Sequence, residues 1–272
     1  MFQNNHNLLK IQILKNRRIK ILSFSLLLMF LNYFSLTPAF AEKYELCEGF
    51  TSETVPSDIE TLLTKNSLIE NEHNDFVKIE DLRYLKLKYR DLNGEEKNGE
   101  MLINSEIAQE VLEIFNELYD KEFPIAKMEL IERDEYKLDD KGSNDEKSMS
   151  ANNTSALRIS ENVSARKPWH ALGMAIDINP MFNPCKYPNA KDSEEQFVPQ
   201  NAKEYLENRC SIDENNKETG IIDKDSICYK IFEKYGWEWG GNWDDPVDLH
   251  HFQKYTWTTE FPRKYSKENS ET

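Results

Sequence analysis

Five histidines occur in the chain, and three of them fall in two short motifs. The first motif, His170-x-x-Gly173-x-Ala175-x-Asp177, sets an imidazole and a carboxylate seven positions apart with a glycine between them. The second, Asp248-Leu249-His250-His251-Phe252, lies near the C-terminus. Two His and one Asp make a three-ligand set for zinc that leaves a fourth position for water, the arrangement of catalytic rather than structural sites. On a strand the adjacent His250 and His251 point to opposite faces, so only one of them joins His170. If the chain bends between Asp248 and His251, both reach the metal region, and His250 becomes a surface residue or a support behind the ligands. Asp248 is then the candidate general base on the water. The blander alternative is a set of structural histidines, and spacing alone leaves that alternative open.

The elements that must position these residues are legible in part. Residues 175–178 read as an inner strand carrying Asp177. Gly240 and Gly241 permit a close backbone approach to a ligand, and Trp239 and Trp243 either wall a cleft or pack in the core. Upstream, residues 42–75 are polar and read as a peripheral N-terminal segment. Within it, Ser57-Asp58-Ile59-Glu60 is a capping box for a short helix with Ile59, Leu62 and Leu63 on one face. Leu85, Leu87 and Tyr89 alternate with Lys86, Lys88 and Arg90, the period of a half-buried strand. Asn93-Gly94 turns it, and residues 101–103 form the return strand. Asn104 or Ser105 then caps an amphipathic helix whose core face is Ile107, Val111, Leu112, Ile114, Phe115, Leu118 and Tyr119. Residues 128–131 read as another strand, residues 137–153 as an exposed loop, and residues 184–220 as a long polar excursion with a short helix near 202–209. Asp225 caps a last helix with Ile227, Ile231, Phe232 and Tyr235 inward, and Gly236 stops it. Strands and helices in this mixed order predict a single compact α+β domain over residues 76–262. Residues 263–272 are a polar tail.

Residues 1–41 read as an export signal, with Lys10, Lys15, Arg17, Arg18 and Lys20 ahead of an apolar run and Ala39-Phe40-Ala41 as the cleavage site. An uncleaved anchor is the alternative, although a sixteen-residue apolar run is short for a spanning helix. The whole chain carries 34 basic and 49 acidic residues, a net charge of −15. Five of those basic residues and none of the acidic ones precede residue 42, so cleavage leaves 29 against 49, or −20. That balance excludes nucleic acid and anionic lipid as natural partners. It fits a secreted or periplasmic monomer with no stable membrane partner. Four cysteines follow the signal, with no Cys-x-x-Cys pair, so up to two disulfides are expected, with free thiols as the alternative.

The two motifs together resemble the VanY-like zinc D-alanyl-D-alanine carboxypeptidase and L-alanyl-D-glutamate peptidase family of cell-wall peptidases. The similarity extends to residues 149–156, 175–180 and 236–243 and to Phe123-Pro124-Ile125, and covers roughly 82–254. The resemblance implies His170, Asp177 and His251 as zinc ligands and Asp248 as catalytic base. It also implies a compact α+β fold with a small antiparallel sheet under the zinc site and helices packed on one side of it, an arginine on the substrate carbonyl, Arg158 with Arg166 as runner-up, and a peptidoglycan stem peptide as substrate. Two positions depart from the family: Pro168 stands where a serine is usual, and Asn242 where an acid is common. D-Ala-D-Ala carboxypeptidase is the first expectation for the activity, with L-Ala-D-Glu endopeptidase and a non-catalytic wall- or metal-binding module as rivals.

Overall fold

The structure is a computed structural model that describes residues 43–65, 77–131, 149–157, 169–191, 196–206, 209–215 and 217–256. The chain divides into two compact units, 1–41 and 42–272, and every described residue lies in the second. Arg158 and Arg166, the export signal, the polar tail and most of the 137–153 loop lie outside the described residues. No helix among the described residues is long and apolar enough to cross a membrane.

The larger sheet has four strands in the order β1 (Lys43–Cys47), β2 (Phe50–Glu53), β3 (Leu82–Arg90) and β4 (Glu96–Asn104), all antiparallel. Alternation assigns its two faces. Leu85, Leu87, Tyr89, Met101 and Ile103 point into the main core, where they meet Val111, Leu112, Phe115 and Leu118 of α2 (Ala108–Asp120). Leu82, Tyr84 and Leu102 point the other way, onto Ile59 and Leu63 of α1 (Ser57–Lys65). Helices therefore cover both faces of this larger sheet, which is why β3 begins with four consecutive buried residues instead of alternating. The β1–β2 hairpin lies in the segment read as peripheral, yet β2 pairs with β3 from Thr51 to Glu53. Its polarity hid it, because β1 is a half-exposed edge on which only Tyr44 and Leu46 lean on the core.

Three local expectations are corrected. Residues 128–131 form no strand; the Glu100 amide of β4 donates to the Met128 carbonyl at 3.3 Å. The start of α2 is capped by neither Asn104 nor Ser105: its N-cap is Ile107, without a side-chain bond, while Asn104 Oδ1 accepts from the Glu106 amide. The excursion's short helix is a 3-10 turn over Gln200–Leu206.

A second sheet carries the site. It orders β5 (Ala175–Asp177), β10 (His251–Gln253) and β8 (Glu238–Trp239), with His251 opposite Asp177, Phe252 opposite Ile176 and Trp239, and Gln253 opposite Ala175 and Glu238. Period two then puts Ile176, Phe252 and Trp239 on one face and Asp177, His251, Gln253 and Glu238 on the other. The apolar face packs on α3 (Ile227–Lys234), where the Phe252 and Phe232 rings stack at 4.2 Å. The N-cap of α3 is Ser226, whose hydroxyl accepts from the Tyr229 amide, not Asp225. Asp223 takes the Asp225 and Ser226 amides instead and shapes the turn before the helix. Gly236, at φ +74°, ends the helix in the left-handed conformation a glycine supplies without strain. A third, small sheet joins β6 (Cys185–Lys186) to β7 (Phe197–Val198) and β9 (Val247–Asp248).

All four cysteines are free thiols, which corrects the disulfide expectation. Cys228 is buried on α3 and Cys185 is buried beside Asp248, while Cys47 and Cys210 are exposed. Cys47 donates to Asn116 and Cys210 to the Ile212 carbonyl.

Candidate metal and catalytic centre

The first motif is a tight turn held by the larger sheet. The Gly173 amide donates to the His170 carbonyl at 3.0 Å and the Met174 amide to the Trp169 carbonyl at 2.8 Å. The Asn104 amide at the end of β4 donates to the Gly173 carbonyl at 3.0 Å, and its side chain donates to the Leu172 carbonyl at 3.1 Å. Gly173 sits at φ +64°, and a Cβ there would lie 2.8 Å from the Asn104 amide, so the turn requires glycine on both counts. Beside β5, Ser155 exchanges two backbone bonds with Asp177, which brings the Ala156 carbonyl under the His170 ring.

Three side-chain atoms converge. His170 Nε2 lies 3.0 Å from Asp177 Oδ1 and 3.0 Å from His251 Nδ1, and His251 Nδ1 lies 3.2 Å from Asp177 Oδ1. Ligand atoms about 2.0–2.1 Å from a shared tetrahedral zinc lie about 3.3 Å from one another, so the spacing fits one such ion. The hydrogen-bond partners behind the ligands give a second test. His170 Nδ1 donates to the Ala156 carbonyl at 2.6 Å, which leaves Nε2 its lone pair. Trp243 Nε1, which can only donate, bonds Glu238 Oε1 at 2.7 Å, and Gln253 Nε2 donates to Glu238 Oε2 at 2.7 Å. Gln253 Oε1 therefore accepts from His251 Nε2 at 3.1 Å, and His251 Nδ1 is left as a lone pair. Two lone pairs and a carboxylate oxygen facing one another repel unless a cation lies among them. Burial pushes the His251 imidazolium down, but the bond and charge of Asp177, with Asp248 and Gln253, outweigh it and hold that pKa above the ordinary value. The same negative surroundings attract a metal ion. Among the described residues, His170, Asp177 and His251 are the group that could hold one.

His170, Asp177 and His251 of the sequence-derived set are thus brought together, while both candidate arginines lie outside the described residues. Asp248 ends β9, and a turn at 249–250 separates it from His251, which is the bend expected between the two. Gly240 makes way for β9, because a Cβ there would sit 2.6 Å from the Asp248 carbonyl oxygen. Trp239 is core, while Trp243 stands half-exposed with its ring centre 5.3 Å from that of His251. Gln253 and Glu238 escaped the sequence reading, although alternation from His251 puts Gln253 on the same face.

The family described as D-alanyl-D-alanine carboxypeptidase matches residues 162–254, a span that contains both motifs. The match supports a peptidase of this VanY-like family, in line with the resemblance carried by the motifs. No curated protein and no solved structure was found to match.

Proposed function

We propose that this protein is a zinc-dependent peptidase of the cell envelope that trims peptidoglycan stem peptides, first of all as a D-Ala-D-Ala carboxypeptidase. The observation that carries the reading is the convergence of His170 Nε2, Asp177 Oδ1 and His251 Nδ1 at 3.0–3.2 Å, their other polar atoms tied to partners that turn the lone pairs inward. Zinc held there supplies Lewis acidity toward the scissile carbonyl and makes water more acidic. Asp248 takes the proton as water adds to the carbonyl carbon, and returns it to the amine as the peptide bond breaks. Arg158, with Arg166 as runner-up, binds the substrate carbonyl. The family match supports the peptidase class, and the acidic composition, with residues 1–41 read as an export signal, supports a secreted or periplasmic monomer.

Asp248→Asn tests the mechanism. It keeps size and hydrogen-bonding capacity but removes the basic carboxylate, and a positioned general base typically contributes about 10²–10⁴-fold in rate. The variant is expected to fold and hold one zinc, yet lose at least about a hundredfold in turnover of a D-Ala-D-Ala stem peptide. A chelator abolishes the parent's activity and added zinc restores it. Cleavage of the L-Ala-D-Glu bond instead moves the assignment to the endopeptidase. No hydrolysis of any stem peptide by the zinc-loaded parent would leave a wall-binding module.

A further inference from the structure

We propose that Glu238 is a positioning residue for the metal site, acting through Gln253 to fix the tautomer of His251; the inference rests on the zinc reading of that site. The sheet sets the three side chains in a row. Glu238 stands opposite Gln253 across β8 and β10, and His251 lies two residues from Gln253 on the same face. Gln253 is only 3% exposed, so its amide must find its partners within the protein. The two ends of a side-chain amide have nearly the same shape, and packing accepts either orientation. Hydrogen bonding does not, because one end accepts and the other donates.

An ionised carboxylate accepts and never donates. Glu238 Oε1 accepts from Trp243 Nε1 at 2.7 Å and Oε2 meets Gln253 at 2.7 Å, so the end of Gln253 that faces it is the NH2. The carbonyl end then faces His251 Nε2 at 3.1 Å and requires hydrogen there. Nδ1, on the side of His170 and Asp177, is left to offer its electron pair. Tyr255 does not make this choice. Its hydroxyl takes a Gln253 hydrogen at 2.6 Å and donates to Glu238, but a hydroxyl turns to suit either end of an amide. An amide at 238 would offer one oxygen, which the Trp243 indole, a donor only, claims. Its NH2 would then face Gln253, whose amide turns over, sets its own NH2 against His251 Nε2 and drives the ring hydrogen onto Nδ1. A carboxylate outside the ligand set thereby governs a lone pair within it.

The test exchanges the two groups. Glutamate and glutamine match in shape, so Glu238→Gln, Gln253→Glu and the double exchange move hydrogens and charge without changing size. Zinc affinity is read by competition with a chromophoric chelator, and a melting curve in excess chelator checks that each variant folds. Glu238→Gln is expected to weaken zinc binding by about 10–100-fold, the usual range for a partner behind a ligand. In the double exchange the carboxylate at 253 accepts from the amide at 238 and from His251 at once, and affinity is expected to return to within a few-fold of the parent. Gln253→Glu alone sets two acceptors against each other and is expected to bring no gain. Parental affinity in Glu238→Gln, or a double exchange as weak as Glu238→Gln, overturns the inference. So do changes that simply add, the mark of charge acting without orientation. A parent that binds no zinc removes the metal site and this inference together, whereas a zinc-loaded parent that hydrolyses no stem peptide removes the proposed activity alone. If Glu238→Gln does not fold, the double exchange decides: affinity within a few-fold of the parent supports positioning, and a loss of about tenfold or more overturns it.

Discussion

Gly173→Ala puts a number on how tightly the larger sheet holds the turn that carries His170. Two terms add at this position. An alanine at φ +64° pays the left-handed penalty of about 1–2 kcal/mol. Its Cβ would also lie 2.8 Å from the Asn104 amide, a backbone atom that cannot swing aside as a side chain would. Moving that amide loosens its 3.0 Å bond to the Gly173 carbonyl, worth about 0.5–1.5 kcal/mol net. The expected loss is about 2–3 kcal/mol, or roughly 4–12 °C in melting temperature for a chain of this size. Gly94→Ala is the control, since Gly94 is at φ +79° with nothing within 4 Å of an added Cβ, and it should show the conformational penalty alone. Urea unfolding of residues 42–272 in excess chelator reads both variants without the stabilisation that bound metal would add. Equal losses in the two variants, or a loss below about 1 kcal/mol at Gly173, would refute the close contact with β4.

The thiols and one buried acid give further tests. A thiol reagent should titrate two cysteines in the native protein, Cys47 and Cys210, and all four after unfolding without reductant; fewer than four would restore a disulfide. Glu218 is raised above the ordinary carboxylate range by burial, against the opposing bond from the Ile227 amide. A raised folded-state acid binds more protons than the unfolded chain, so its contribution to stability falls as pH rises from the unfolded value through the folded one. Glu218→Gln, which keeps an acceptor for Ile227, should therefore raise the melting temperature at pH 7–8 and gain little at pH 4. A gain independent of pH would contradict this.

What the sequence made legible was what depends on near neighbours. The alternation from Leu85 to Arg90 and the stripe from Ile107 to Tyr119 each announce their own periodicity, and both elements form. The site was legible for another reason: with few histidines in the chain, two short motifs that hold three of them stand out. The hairpin at 43–53 was not legible, because an edge strand that buries Tyr44 and Leu46 only partly shows weak alternation. Residues 128–131 misled for the opposite reason: Met128 packs over Gly99 and Leu130 joins the core beside α1, with no ladder between them and β4. Glu238 and Gln253 bear on the site through bonds that close only in three dimensions, and Glu and Gln leave no mark in the sequence when they do so. The cap of α3 went to Ser226 rather than Asp225 because Asp223 had already claimed the preceding amides.

The pairing of His251 with Asp177 also settles a competition inside the chain. Two adjacent histidines offer two candidate ligands, and a slip of β10 by one residue would exchange them. The same slip would carry the Phe252 ring out of its stack on Phe232 and into the polar row, exposing one of the largest fully buried side chains in the protein. Fully burying such a ring is worth about 1.5–3 kcal/mol relative to leaving it in water. The aromatic residue therefore works as a key cut for a single register, and which histidine faces Asp177 is decided by a side chain on the opposite face of the sheet.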